Sequence, residues 1–191
     1  EIPLGAEPRC ARGDLWQLGR NRLLCGDSTD MSAVRDLVST LRPALGFADP
    51  PYGAKVAEWD ETFVWDHDYL SDLCEIVAVP PGTISIQQFM ARTHMPYVWS
   101  LAAWYANGSA RGAVGFSNWL YTALFSNGSV YRAAQDFEKI VFHVGEADGD
   151  HHRGQKPPRY MTWLFELFTL PGDLILDVFV GSGTAYVAAE Q

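Results

Sequence analysis

The sequence predicts an α/β fold in which a mostly parallel sheet carries an added antiparallel hairpin. Two short apolar runs end abruptly in polar turns, residues 44–48 at Asp49-Pro50-Pro51-Tyr52 and residues 174–179 at a glycine-rich turn. Neither run has helical periodicity, so each is typical of a buried strand that ends at a sheet edge. Residues 96–144 between them are rich in aromatic and β-branched side chains, which favours the antiparallel strands.

Size and composition restrict the class of protein. The chain has 191 residues with 48% hydrophobic residues, enough to bury a substantial core in one domain. No apolar run reaches membrane-spanning length and the N-terminus has no signal peptide, so a cytoplasmic protein is expected. The net charge is −9, which argues against tight nucleic-acid binding through overall charge. Three cysteines without a Cys-x-x-Cys pair argue against a disulfide scaffold or a zinc site.

The N-terminal elements follow from breakers and caps. Residues 1–20, with several prolines and glycines, are predicted to be a lead-in segment with a short edge strand at Trp16 and Leu18, and residues 21–191 to be the catalytic domain. Residues 21–25 predict a strand that ends at Gly26-Asp27, followed by a helix over 31–41. Asp27 is expected at the same sheet edge as Asp49, although a helix cap is the alternative explanation for it.

The central elements are less regular. Residues 53–65 are a polar loop, either a flap beside the pocket or a loop without a role. The pattern predicts a helix over 66–79 and strands over 83–89, 97–105, 119–126 and 139–144. His151 and His152 are adjacent in a polar loop with no third ligand evident, so no metal site is predicted. An amphipathic helix is predicted over 159–170.

The turn Asp49-Pro50-Pro51-Tyr52 has the groups needed to hold a flat polar ligand. The carboxylate can accept hydrogens from an exocyclic amine, and the proline nitrogens donate none, which leaves acceptor carbonyls. The phenol ring of Tyr52 can stack on a heteroaromatic face. The alternative is a plain strand followed by a turn, with Asp49 as a cap and Tyr52 as packing.

The glycine-rich turn is the second candidate site. Gly181 and Gly183 lie between a strand and a helix over 185–191, where a backbone can approach a ligand closely. Tyr186 stands where the dinucleotide fingerprint needs a third glycine, so that motif fails. A phosphate-binding P-loop fails as well, because no Gly-Lys-Ser/Thr follows.

Together these segments resemble amino-methylating DNA methyltransferases. Asp49-Pro50-Pro51-Tyr52 resembles their catalytic Asp-Pro-Pro-Tyr, and residues 177–184 resemble their Asp-Pro-Phe-x-Gly-Ser-Gly-Thr cofactor motif, with Val178 replacing the proline. Residues 152–157 are similar to the His-Pro-Thr-Gln-Lys-Pro element, and residues 13–18 to the lead-in of ParB-associated DNA methylases. The motif order, catalytic first and cofactor last, matches the circularly permuted β-type group.

The resemblance implies a Rossmann-like methyltransferase fold, with a seven-stranded sheet covered by helices on both faces, and S-adenosylmethionine as cofactor. The catalytic residues that it implies are Asp49, Pro50, Pro51 and Tyr52. The cofactor-binding residues that it implies are Asp27 near the adenine, Lys156 near the methionine carboxylate, and Asp177, Phe179, Gly181, Ser182, Gly183 and Thr184.

The implied reaction is methyl transfer to the N6 amine of adenine in DNA, with the target base rotated out of the duplex. Asp at the first motif position favours adenine over cytosine-N4. A cofactor-binding regulatory module without turnover and an RNA substrate are the alternatives. Little room remains over 127–152 for target recognition, so a short site, a homodimer or a recognition partner is expected. The setting is bacterial or phage restriction-modification, and the domain is expected to continue past Gln191.

Overall fold

The computed structural model describes residues 10–51, 53, 65–106, 110–130, 136–140 and 155–191. The chain divides into two compact units, Glu1–Leu41 and Arg42–Gln191. The predicted boundary between a lead-in and a catalytic domain at residue 20 stays a prediction. Among the described residues, no helix has the length and apolar character needed to cross a bilayer.

The first unit is a small hairpin followed by a helix. Strand β1 (Leu15–Leu18) pairs antiparallel with β2 (Asn21–Leu24), and α1 spans Met31–Val38. The helix begins where predicted because Asp30 caps it: its carboxylate accepts the amides of Ser32 and Ala33 at 3.1 and 3.2 Å. The three elements predicted for this region are confirmed.

The second unit contains a six-stranded sheet, a two-stranded hairpin and four helices among the described residues. In chain order these are β3 (Leu45–Phe47), α2 (Leu70–Leu73), β4 (Ile76–Val79), α3 (Gly82–Arg92), β5 (Tyr97–Tyr105), the hairpin β6 (Ala110–Gly112) and β7 (Gly115–Ser117), β8 (Trp119–Phe125), β9 (Phe137–Ile140), α4 (Pro158–Phe168), β10 (Ile175–Asp177) and α5 (Thr184–Ala189).

The strand order in the sheet is β10-β3-β4-β8-β5-β9. The pairs β10–β3, β3–β4 and β5–β9 are parallel, whereas β8 is antiparallel to both of its neighbours. Because β8 reverses direction between β4 and β5, strand β5 runs the same way as β3, β4 and β10. Their carboxyl ends therefore share one edge of the sheet, and the predicted mostly parallel sheet is confirmed. Of the seven strands that the resemblance implies, the described residues contain six.

Helices cover both faces of the sheet. Residues of α4 and α5 form the main core with alternate residues of β3, β4, β5 and β8, among them Leu124. The next residue, Phe125, turns to the opposite face, where its ring meets Phe89 of α3 edge-on at 5.7 Å. Alternation along a strand sends neighbours to opposite faces, so β8 carries one core on each side. Both cores fix the sheet edge from which the polar turns emerge.

Two predictions in the centre of the chain are wrong. The segment 66–79, predicted as one helix, contains only the single turn Leu70–Leu73 and then strand β4. All four residues of β4 are buried, because a strand inside a parallel sheet faces protein on both sides. Its continuous apolar run has no alternation, so the sequence pattern could not distinguish it from the buried face of a helix.

The strand predicted over 83–89 is instead the helix α3. Buried Ser85 donates its hydroxyl to the carbonyl of Pro81, and Phe89 is buried four residues later on the same helix face. The two prolines that close β4 also start α3, since proline is tolerated where helix amides lack partners. Ile140 ends β9, and the predicted strand residues 141–144 lie outside the described part of the chain.

Gly46 is needed for the close approach of β3 to α2. A Cβ at this position would lie 2.8 Å from Sγ of Cys74 and 3.3 Å from its Cβ. We therefore expect Gly46→Ala to lower the free energy of unfolding by about 1–3 kcal/mol through overpacking, as measured by urea denaturation. Adding Cys74→Ala should recover much of the loss. Gly128→Ala, where the nearest atom is 3.7 Å away, is the control and should be nearly neutral.

Candidate active site

The two polar turns meet across adjacent parallel strands. In the register of β10 with β3, Asp177 lies opposite Phe47, and the amide of Val178 donates to the Phe47 carbonyl at 3.3 Å. Asp49 follows Phe47 by two residues, and Phe179 follows Asp177 by two residues. Both turns therefore leave the sheet side by side, at the edge where open α/β sheets bind ligands.

The turn after β3 is anchored from the neighbouring strand. The amide of Ala48 donates to the carbonyl of Ala78 at 3.1 Å, which extends the pairing of β3 with β4 beyond the last strand residue. Pro50 is buried and Pro51 half-buried. Tyr52 lies outside the described residues, so its predicted stacking on a target base stays a prediction.

Lys156 forms an ion pair with the predicted catalytic carboxylate. Its Nζ lies 2.5 Å from Oδ2 of Asp49, and the two side chains are only 10% and 19% exposed. Because α4 begins at Pro158, this contact joins the segment before α4 to the turn after β3. The resemblance placed Lys156 near a cofactor carboxylate; in the structure its carboxylate partner is Asp49.

The neighbouring residue Gln155 contacts the other turn, and sequence reasoning did not single it out. Its amide nitrogen donates to Oγ1 of Thr184 at 3.1 Å, and Thr184 in turn lies 3.0 Å from Oγ of Ser182. Two successive residues, Gln155 and Lys156, therefore bind the glycine turn and the Asp-Pro-Pro turn respectively. This bridge holds the two turns as one site.

The glycine turn requires glycine for its backbone conformation. Gly181 and Gly183 have φ of 51° and 79°, in the left-handed region that only glycine adopts at little cost. The amide of Gly183 closes the turn on the Val180 carbonyl at 2.8 Å. A Cβ at Gly183 would meet no heavy atom within 4 Å. The space beside this turn is therefore open to a bound group.

Asp177 is a second carboxyl in the site. Its Oδ1 accepts the amide of Phe179 at 2.9 Å, which orients the start of the glycine turn. Burial raises the pKa of Asp177 to about 7; the Phe179 amide opposes that rise and the nearby Asp49 carboxyl adds to it. Two carboxyls thus share one site with a single described lysine partner, which gives the pocket a negative character suited to a cationic ligand.

The raised pKa of Asp177 predicts a pH-dependent stability. Between about pH 4 and pH 7 the folded chain keeps a proton that the unfolded chain has released, so the free energy of unfolding should fall as the pH rises. The expected slope from this group is about 1.4 kcal/mol per pH unit. Asp177→Asn should remove that slope in urea unfolding at pH 5 to pH 7. Asp36→Asn on the exposed side of α1 should leave it unchanged.

Phe179 packs against an aromatic cluster that the sequence did not reveal. Its ring lies 4.9 Å from the buried ring of His67, which is 5.2 Å from Trp65. Asp68 holds Trp65 by accepting its Nε1–H at 2.7 Å. The cluster positions Phe179 beside the glycine turn. Trp65 and His67 lie at the end of the predicted flap and start of the mis-predicted helix, so neither was marked as functional.

Two tyrosines border the ion pair on the main-core side. Tyr105 ends β5 at the same sheet edge; burial raises its pKa, and Lys156 and Asp49 act on it in opposite directions. Tyr160 of α4 is fully buried, with its hydroxyl 2.8 Å from Oγ1 of Thr122. Strong burial raises the pKa of Tyr160 well above 10. Both phenols therefore stay neutral at physiological pH and form a rigid polar wall.

Asp27 belongs to the first unit and is described there by itself. Its Oδ1 accepts the amide and hydroxyl of Thr29 at 3.0 and 2.7 Å, and its Oδ2 lies 3.4 Å from Arg12. The helix cap is Asp30, so the alternative of Asp27 as the cap of α1 is wrong. Its predicted contact with a cofactor adenine stays a prediction.

No metal centre was predicted, and His151 and His152 lie outside the described residues. In the part of the chain that the structure describes, no cluster of three or more His, Cys, Asp or Glu side chains has the arrangement of a metal site.

Comparison with solved structures shows the fold. The S-adenosylmethionine complex of M1.HpyAVI matches with a TM-score of 0.59 at 15% identity over 86% of each chain. The cytosine-N4-specific PvuII DNA methyltransferase gives 0.57 at 14% identity over 86% of this chain and 76% of its own. TTHA0409 from Thermus thermophilus gives 0.52 at 16% identity over 82% and 81%. No curated protein matches the chain.

The sequence matches the family model for N6/N4 DNA methylases over residues 82–191, more than half of the chain. That range includes Lys156, the glycine turn and both strands β5 and β8 of the antiparallel part of the sheet. The chain belongs to the DNA methylase family of amino-methyltransferases, which modify N6 of adenine or N4 of cytosine with a methyl group from S-adenosylmethionine.

Proposed function

We propose that this chain transfers a methyl group from S-adenosylmethionine to the exocyclic N6 amine of adenine in DNA. The observation that carries the proposal is the bridge from Gln155 and Lys156 to the two turns, which holds Asp49 beside the glycine turn. A methyl donor on the glycine turn and an amine on Asp49 would then be neighbours. Substrate and donor in one fixed geometry supply most of what such a transfer requires.

The residues present fit the cofactor. The left-handed glycines bring backbone close to a ligand, and the open space beside Gly183 has room for one. Phe179 offers an aromatic surface that is fixed by His67. Asp49 and Asp177 place carboxyl groups at the same edge, which favours a positively charged donor. When bound, S-adenosylmethionine supplies an electrophilic methyl group on a sulfonium.

Asp49 prepares the amine. The lone pair of an aromatic amine is delocalised into the ring, so the nitrogen is a weak nucleophile. Asp49 accepts one amine hydrogen and the Pro50 carbonyl the other, which favours a tetrahedral nitrogen with its lone pair directed at the methyl group. The nitrogen forms its bond to carbon as the sulfur–carbon bond breaks, the electron pair returns to sulfur, and the nitrogen loses one proton. This is electrostatic and orientational catalysis.

Lys156 orients Asp49 without blocking it. An ionised carboxylate has about four lone-pair sites on its two oxygens, so Asp49 can accept from Lys156 and from an amine together. The bond of Lys156 to Oδ2 fixes the rotation of the carboxylate. Lys156 is therefore a positioning residue in this mechanism, and Tyr52 is the proposed stacking partner of the base.

Adenine is preferred to cytosine because Asp, rather than Ser, occupies the first position of the motif at residue 49. The test uses S-adenosylmethionine with a deuterated methyl group, DNA of mixed sequence and mass spectrometry of the nucleosides. We expect the label in N6-methyladenine. Label in N4-methylcytosine would assign the other member of the family's chemistry, and cofactor binding without label in DNA would indicate a regulatory module. Labelled RNA in a parallel reaction would overturn DNA as substrate.

A further inference from the structure

Two of the three cysteines lie side by side in the first unit, and the proposed reaction uses neither. The thiols of Cys10 and Cys25 are in hydrogen-bonding contact with each other. Cys10 is exposed and Cys25 is half-buried at the end of β2, so solvent and small molecules can reach the pair. Two accessible thiols in contact are the starting geometry for a disulfide.

The backbone holds this contact in place. The amide of Gly13 donates to the carbonyl of Cys25 at 2.7 Å, and the amide of Cys25 donates to the carbonyl of Asp14 at 2.9 Å. A turn then reverses the chain: the Asp14 amide donates to the Ala11 carbonyl at 3.1 Å, and the Ala11 amide to Oδ2 of Asp14 at 2.8 Å. Because the turn is closed from both sides, Cys10 returns to the end of β2.

We propose that Cys10 and Cys25 form a reversible intramolecular disulfide on exposure to a small disulfide oxidant such as oxidised glutathione. The Cys10 thiolate attacks one glutathione sulfur, forms a mixed disulfide and releases one glutathione thiolate. The Cys25 thiolate then attacks the Cys10 sulfur and releases the second glutathione. Two protein thiols are oxidised, one glutathione disulfide is reduced to two thiols, and the two protons pass to the released thiolates.

The order of attack follows from the surroundings of the two thiols. The hydrogen bond with Cys10 raises the pKa of Cys25, and burial and the negative charges of Cys10 and Asp14 raise it further. Cys25 therefore holds its proton longer, and as the less exposed thiol it meets the oxidant less often. Cys10 is assigned the first attack and Cys25 the second.

Cys74 is a built-in control. It is 1% exposed in the core of the second unit, and burial raises its pKa to about 12. A thiol that is both buried and protonated does not react with disulfides at an appreciable rate. Modification should therefore be confined to the pair in the first unit while the chain is folded.

The disulfide would fix a link that is otherwise weak. Arg12 and Asp27 already connect the same two segments through an ion pair at 3.4 Å, but their side chains are 72% and 44% exposed, and such pairs contribute little. With the disulfide formed, hydrogen exchange at the amides of Gly13 and Cys25 should slow by about tenfold or more, because local opening would be suppressed.

The experiment treats the reduced full chain with oxidised glutathione at pH 8, blocks remaining thiols with iodoacetamide and maps the peptides by mass spectrometry. We expect a peptide pair linked through Cys10 and Cys25, with Cys74 unmodified until the chain is denatured. Glutathione retained on both Cys10 and Cys25 with no linked pair would overturn the proposal. A link to Cys74 would overturn it equally.

Serine variants separate the two steps. Cys25→Ser should stop at a glutathione adduct on Cys10, whereas Cys10→Ser should acquire an adduct on Cys25 at least about tenfold more slowly, since that thiol is shielded and protonated. Cys74→Ser should form the linked pair at the rate of the unmodified chain. Equal adduct rates in the first two variants would contradict the assigned order, and no readout here depends on methyl transfer.

Discussion

Asp49→Asn should lower methyl transfer to DNA by at least about a thousandfold and leave S-adenosylmethionine affinity within about threefold. The amide has the size of the carboxylate, but its nitrogen donates a hydrogen where the mechanism needs an acceptor. The amine lone pair then stays delocalised in the ring. Single-turnover methylation with radiolabelled cofactor measures the first quantity, and calorimetric titration of the cofactor measures the second.

The control for this variant is Asp173→Asn, in an exposed turn where the side chain accepts the Leu170 amide. It should keep full turnover. Asp49→Asn with near-normal turnover would contradict the role of Asp49. Loss of cofactor affinity together with turnover would indicate that the carboxylate serves the donor rather than the amine.

Lys156→Met should lower the free energy of unfolding by about 3–5 kcal/mol, because it leaves the largely buried Asp49 carboxylate without its cation. The methionine preserves the apolar stem, so the change is mainly one of charge. The measurement is urea denaturation at constant pH. The double variant Asp49→Asn with Lys156→Met should be much more stable than the sum of the single effects, since no uncompensated charge remains.

Arg159→Met is the matched control for the lysine variant. Arg159 lies three residues further along and pairs with Glu138 at 3.4 Å, but its side chain is 54% exposed. An exposed pair of this kind contributes less than about 1 kcal/mol. Equal losses for Lys156→Met and Arg159→Met would show that the Asp49 pair is not a buried interaction.

The strands that position the site could be predicted because their ends are punctuated. The run before Asp49 stops at two prolines, and the run before the glycine turn stops at two glycines; both strands, β3 and β10, lie where predicted. Strand β4 and helix α3 could not be separated by pattern, because a strand buried on both faces loses the alternation that identifies strands. The proline pair between them marks a boundary but not the type of element on each side.

Contacts between distant residues were beyond local pattern. Lys156 and Asp49 are 107 positions apart, and only the folded sheet brings the segment before α4 over the end of β3. The bond of Gln155 to Thr184 and the packing of His67 on Phe179 are equally non-local. The residue types of the site were predictable from its two motifs, whereas the side chains that join those motifs required the structure. The permuted order of the family's motifs remains a prediction.

The most direct measurement is a crystal structure of this chain with S-adenosylmethionine and a single-stranded DNA fragment that contains adenine. We predict the cofactor along the turn after β10, with its sulfonium methyl group facing the Asp49 carboxylate and the N6 amine between them. Cofactor density away from Phe179 and the two left-handed glycines, or an adenine amine that does not reach Asp49, would contradict a single site shared by the two turns.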